Sequence, residues 1–222
     1  MKFTAGLAQM GPTLGDLEAN RKRVLAVARK ALRRGVELLL FPELALTGFF
    51  LKDVVPSVAQ TRWGALVEEL KALSRDMALV VGFVEESRAH IFYNAAAYFE
   101  EGRLVHCHRK VYLPTYGIFD EQRYLGRGRA VRAFDTRFGR AAILICEDAW
   151  HPSLAYLASQ DGADLLFIPS ASPGRGVRRG RGRLGIQESW RAINRCYAQT
   201  LSQFVFFANR VGYEDGINFW GG

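Results

Sequence analysis

The 222-residue chain has only three cysteines, Cys107, Cys146 and Cys196, odd in number and widely spaced. They supply neither a disulfide framework nor the paired spacing of a zinc site, and they suit a reducing, cytoplasmic setting. Long apolar runs are also missing. Nothing approaches the roughly 18 residues that span a bilayer, so no membrane segment is expected. The first ten residues carry one charge and a short apolar alternation, which reads as a strand; a signal peptide would need a longer apolar core and a cleavage site. Histidine is scarce, and the four present (His90, His106, His108 and His151) suggest no catalytic triad. In His106-Cys107-His108 alternate residues of a strand face opposite ways, so the cysteine points away from both histidines and no metal site is expected. No internal repeat or linker divides the chain.

What is present describes an ordinary globular domain with one substantial core. Hydrophobic residues make up 49% and charged residues 23%. The net charge of +8 raises the question of nucleic acid. Without Arg175, Arg178, Arg179, Arg181 and Arg183, a cluster interleaved with glycine, it would be +3. The basic excess is therefore mostly one loop, and nucleic-acid binding is not the favoured reading. That loop is either a solvated segment or a clamp for a carboxylate, since arginine offers paired donors.

Hydrophobic patterning places strands at residues 3–10, 36–41, 78–84, 92–100, 103–110, 134–138, 140–145, 164–169 and 204–208. Helices are expected at 16–34, 65–77, 153–159 and 186–201. The 92–100 and 103–110 strands meet at Glu101-Gly102, which makes a hairpin and hence a mixed sheet. Residues 111–128 are long and aperiodic, as functional loops often are. After residue 208 the chain is read as leaving its strand through Asn209-Arg210-Val211-Gly212. The alternation of strands and helices gives one α/β domain.

Three of these strands end in ionisable groups: Glu43, Lys110 and Cys146. The C-terminal edge of an α/β sheet is where ligands bind. For Cys146, a buried strand end explains the residue as well as chemistry does until its neighbours are considered. Together the three suffice for amide hydrolysis. A thiol attacks, a carboxylate takes its proton and later protonates the leaving amine, and an ammonium with the backbone N–H after the cysteine holds the oxyanion. Ser172, where the 164–169 strand opens onto polar residues, is added as a candidate substrate-binding residue.

The segments Phe41-Pro42-Glu43-Leu44-Ala45-Leu46-Thr47-Gly48, Arg109 to Glu121 and Leu144-Ile145-Cys146-Glu147-Asp148 resemble the three signature segments of the nitrilase superfamily of carbon–nitrogen hydrolases. The resemblance implies a four-layer αββα sandwich over residues 1–222. It implies Glu43 as general base, Lys110 as stabiliser of the tetrahedral intermediate and Cys146 as the residue that forms a thioester. Glu121 matches a second glutamate of the family, although pairing with Arg123 at the surface would also account for it. No cofactor is implied, and the family's habit is a homodimer or larger assembly. Relatives normally continue beyond Asn218-Phe219-Trp220-Gly221-Gly222, so a C-terminal tail is expected to be missing. The 113–124 loop and Cys146-Glu147-Asp148-Ala149-Trp150 look like the glutaminase domain of glutamine-dependent NAD synthetases, which puts Tyr116, Glu147 and Trp150 around a substrate pocket. Phe49 stands where those glutaminases usually have a tyrosine. On that departure the expected activity is a free-standing amidase for small amides or N-carbamoyl compounds, with the glutaminase as the alternative and a non-catalytic nucleic-acid-binding module as a remote one.

Overall fold

A computed structural model describes residues 2–176 and 184–222. Arg178, Arg179, Arg181 and Arg183 of the arginine loop lie outside the described residues. The order is β1 (Ala5–Leu7), α1 (Leu17–Leu32), β2 (Leu38–Leu40), α2 (Val55–Val58), α3 (Ala65–Leu73), β3 (Ala78–Glu86), β4 (Phe92–Glu100), β5 (Arg103–Arg109), α4 (Glu121–Tyr124), β6 (Phe134–Thr136), β7 (Gly139–Ile143), α5 (Pro152–Gln160), β8 (Leu165–Ser170), α6 (Gly185–Thr200), β9 (Phe204–Asn209), β10 (Val211–Glu214) and β11 (Ile217–Trp220).

Local signals account for most of these boundaries. The Asp16 side chain accepts the Ala19 N–H at 2.9 Å and caps α1. Pro152 opens α5, where a missing N–H costs nothing. Glu101 and Gly102, both at positive φ (51° and 75°), make the tight β4–β5 turn.

One sheet has the order β1-β2-β3-β4-β5, with β1, β2 and β3 parallel and β4 and β5 joined antiparallel. The other has the order β6-β7-β8-β9, parallel from β7 onward. Alternate residues of each sheet meet between them: Leu38, Leu40, Val80 and Tyr98 from the first pack with Ile143, Phe167 and Ala208 from the second. The outer faces are covered by helices. Val24, Ala28, Val67 and Leu70 of α1 and α3 lie on the first sheet, and Leu154, Ala158, Trp190 and Tyr197 of α5 and α6 lie on the second. This is the αββα sandwich.

Two expectations need correction. The first strand pairs only over Ala5–Leu7, because just those residues have partners on β2. The chain after Asn209 does not simply leave its strand: Val211–Glu214 and Ile217–Trp220 form a separate hairpin with Asp215 and Gly216 at positive φ in the turn. That hairpin has a task. Glu214 Oε1 accepts the backbone N–H groups of Phe49 and Phe50, each at 2.8 Å, and so fixes the loop after β2 from 165 residues away.

Candidate active site

Because β4 and β5 turn back twice, β5 runs in the same direction as β2 and β3. Its C-terminal end therefore lies on the same edge as theirs. Glu43 follows β2, Lys110 follows β5 and Cys146 follows β7, so topology brings three distant parts of the chain to one place.

Lys110 Nζ donates to Glu43 Oε1 and to Glu121 Oε1, both at 2.7 Å. All three side chains are buried. Asn94, on β4, donates from the same Nδ2 to Glu43 Oε1 (2.8 Å) and Glu121 Oε2 (3.3 Å). The other oxygen of Glu43, Oε2, takes the Ala171 N–H at 2.8 Å. The neighbouring Ser170 Oγ donates to Cys146 Sγ at 3.1 Å. Two consecutive residues at the end of β8 thus hold the carboxylate and the thiol beside each other. Glu121 pairs with Lys110 inside the site, while Arg123 turns to Asp120; the surface pairing of Glu121 with Arg123 does not occur.

Cys146 is partly accessible and has φ of 44°, a left-handed conformation that side chains rarely adopt. It begins a short 3-10 turn, Cys146–Trp150, between β7 and α5. Strain of this kind, about 1–3 kcal/mol, concentrates at functional sites. Leu44, next to Glu43, also has positive φ (49°). Two glycines let backbones close in on the charged residues. A Cβ on Gly82 would stand 2.5 Å from Leu44 N and 2.7 Å from Pro42 O. A Cβ on Gly128 would overlap the carbonyl of Arg109, just before Lys110.

The electrostatics follow from burial. The Cys146 thiol is pushed well above its ordinary value by burial and then by the Glu43 carboxylate, against the pull of Lys110 and the Ser170 hydroxyl. It rests protonated and needs a base. Burial works to discharge Lys110, but Glu121 and Glu43 outweigh it and hold the ammonium. Glu121 is raised from 4.5 to about 7 by burial and by Glu43, partly offset by Lys110. A protonated thiol next to a carboxylate, with a fixed ammonium beside both, is an arrangement suited to general-base activation and oxyanion stabilisation.

Above Cys146 lies a cavity of 220 Å³ whose walls include Tyr116, Glu147, Trp150, Ser172, Phe119 and Arg175. Four of the five expected substrate-binding residues therefore meet there. Tyr116 Oη donates to Glu147 at 2.9 Å, Trp150 stands edge-on to Trp190 at 5.4 Å, and Ser172 Oγ accepts the Trp190 indole N–H at 2.8 Å. Phe49 is the exception. It sits behind Phe119 (ring centroids 5.9 Å apart) and lines a smaller, neighbouring cavity with Glu121. Its ring lies 5.8 Å from Lys110 Nζ and so covers the ammonium, but it is not on the wall over Cys146.

Sequence reasoning missed Asn94, Ser170 and Asp148. Asn94 is the one polar side chain in the otherwise apolar and aromatic first part of β4, a signal that was there to read. Asp148 is fully buried and accepts from Val111 N and Tyr112 N (each 2.9 Å), from Ile145 N (3.1 Å), and bonds His108 Nε2 at 2.9 Å. It ties the segment after Lys110 to the segment bearing Cys146. His106, its companion in sequence, stacks on Phe134 at 4.4 Å.

Residues 4–222 match the carbon-nitrogen hydrolase family. The chain belongs to that family. A glutamine-dependent NAD(+) synthetase of Thermotoga maritima is 36% identical over 172 residues, covering 75% of this hydrolase and 30% of that protein. The solved glutamine-dependent NAD+ synthetase of Acinetobacter baumannii in complex with ADP superposes with a TM-score of 0.84 at 27% identity, over 99% of this chain and 40% of that one. Saccharomyces cerevisiae Nit3, a nitrilase-superfamily member, superposes with a TM-score of 0.80 at 22% identity, over 96% of this chain and 78% of that one, and shares the fold. This hydrolase thus spans well under half the length of the synthetases it matches.

Proposed function

We propose that this carbon-nitrogen hydrolase is a glutaminase of the kind carried by glutamine-dependent NAD synthetases. The observation that carries the reading is a pairing of opposite charges in one small cavity: Glu147 and Arg175 both line the space over Cys146. A carboxylate suits a substrate ammonium and a guanidinium suits a substrate carboxylate, so an amino-acid amide satisfies both. N-carbamoyl-β-amino acids satisfy Arg175 alone, and simple aliphatic amides satisfy neither. The 36% identity to a glutamine-dependent synthetase supports the same choice. It moves the preference from the carbamoyl amidase expected on Phe49 to the glutaminase, and the position of Phe49 behind Phe119 weakens the argument drawn from its missing hydroxyl.

In this mechanism Glu43 takes the Cys146 proton as sulfur attacks the amide carbon. The oxyanion forms against Lys110 and the Glu147 N–H, donors of the type whose loss typically costs about 10²–10³ in turnover. Glu43 returns the proton to the departing ammonia, leaving a thioester on Cys146. Glu43 then deprotonates a water that attacks the thioester, and glutamate leaves as the thiol is reprotonated. Glutamine and water go in; glutamate and ammonia come out.

The test is ammonia release from glutamine, N-carbamoyl-β-alanine, N-carbamoylputrescine and aliphatic amides. The expected order puts glutamine first in kcat/KM. A preference for N-carbamoyl-β-alanine would restore the amidase reading. Arg175→Ala is expected to raise KM for glutamine by about 10-fold or more, the loss of one charged contact, with little change for a neutral amide.

A further inference from the structure

A second cavity, of 570 Å³, is lined by none of the residues around Cys146. Its walls carry Arg62, Arg88, Arg109, Arg127 and Arg129 against a single carboxylate, Glu85. Glu85 is itself buried and already doubly paired. It takes Arg62 through Nε and one Nη (2.5 and 3.1 Å) and Arg109 the same way (2.7 Å each). Each of these two guanidiniums keeps its Nη1 out of that pairing. Arg109 is further fixed over the Tyr93 ring at 3.9 Å, and Arg88 lies over the exposed Trp63 ring at 5.1 Å. Two arginines are therefore held in place before any ligand arrives, which lowers the ordering cost of binding. Arg88, Arg127 and Arg129 are exposed around them.

We propose that this cavity binds a polyphosphate chain, the group shared by free pyrophosphate or triphosphate and by nucleoside polyphosphates. The excess of four positive charges exceeds what one phosphate, at up to two negative charges, neutralises. It matches a diphosphate or triphosphate. Guanidiniums are the preferred partners of phosphate oxygens because their fork matches two oxygens at once. The volume lies in the small-molecule range of about 300–1,000 Å³, and the concavity favours a compact anion over an extended acidic chain.

The experiment is titration calorimetry of the whole chain with orthophosphate, sulfate, pyrophosphate, triphosphate and ATP, at low and at physiological salt. Triphosphate is expected to bind at least about tenfold tighter than orthophosphate or sulfate, and to weaken as salt rises. Arg88→Ala/Arg129→Ala, two exposed positions outside the amide-hydrolysis site, should weaken triphosphate at least about tenfold with thermal unfolding and amide hydrolysis unchanged. ATP binding no tighter than triphosphate assigns the site to the chain alone. Tighter ATP binding, lost in Trp63→Ala, assigns it to a nucleotide whose base stacks on that ring. The proposal is overturned if triphosphate shows no saturable binding, if sulfate binds equally well, if the double variant binds undiminished, or if only a polyglutamate peptide binds.

Discussion

Glu121→Gln should make the protein more stable at neutral pH than at acid pH relative to the wild type. The Glu121 carboxyl is raised from 4.5 to about 7. Between those values the folded state holds a proton that the unfolded state has released, so stability falls as pH rises through the window and levels off above it. Moving a carboxyl that far corresponds to about 3 kcal/mol. Glutamine has the same shape, can still accept from Lys110 Nζ, and does not titrate. The difference in unfolding free energy between variant and wild type is therefore expected to grow by about 3 kcal/mol from pH 4.5 to pH 8. For a domain of this size that is a relative gain of about 6–12 °C in Tm. Urea and thermal unfolding of both proteins across the pH range measure it. If the two stability curves run parallel, Glu121 does not carry the raised value and the account of the buried cluster fails.

Three further outcomes follow from the same geometry. Cys146→Ala should lower turnover by about 10⁴-fold or more, as removal of a catalytic nucleophile does, with an unchanged circular-dichroism spectrum. Retained turnover would refute the thioester route, and a thioester adduct at Cys146 seen by mass spectrometry with a slow substrate would support it. Asp148→Ala leaves the buried Ile145 N–H and the part-buried Val111 and Tyr112 N–H groups without their acceptor and should cost about 3 kcal/mol; a loss below about 1 kcal/mol in urea unfolding would contradict the bracing role. Gly128→Ala forces the backbone away from Arg109 and should cost about 1–3 kcal/mol together with a fall in kcat as Lys110 shifts. An equally stable and equally active variant would show that the close approach is not required.

The sequence alone marked Glu43, Lys110 and Cys146 as candidate site residues and determined the kind of layers that hold them. Apolar runs ending at Glu43 and Cys146 could be read because a buried strand must be apolar on both faces and must stop where it reaches water. Lys110 was legible for a similar reason, at the end of a strand whose hairpin partner is marked by Glu101-Gly102. Tyr116, Glu147 and Trp150 were expected from a family resemblance and Ser172 from its strand end, and all four line the cavity over Cys146. Tertiary structure decided what spacing cannot encode. It brought Asn94 under both carboxylates and turned Glu121 toward Lys110 instead of Arg123. It withdrew Phe49 behind Phe119 and used Glu214, near the far end of the chain, to fix the loop that carries it. It also gathered Arg62, Arg88, Arg109, Arg127 and Arg129 from separate segments into one cavity, none of them part of the arginine cluster that is conspicuous in the sequence. The physical reason is common to all of these. Local pattern fixes which face of an element is buried, whereas the partner met on that face, and the charge it acquires there, depend on which other elements the sheets bring to the same edge.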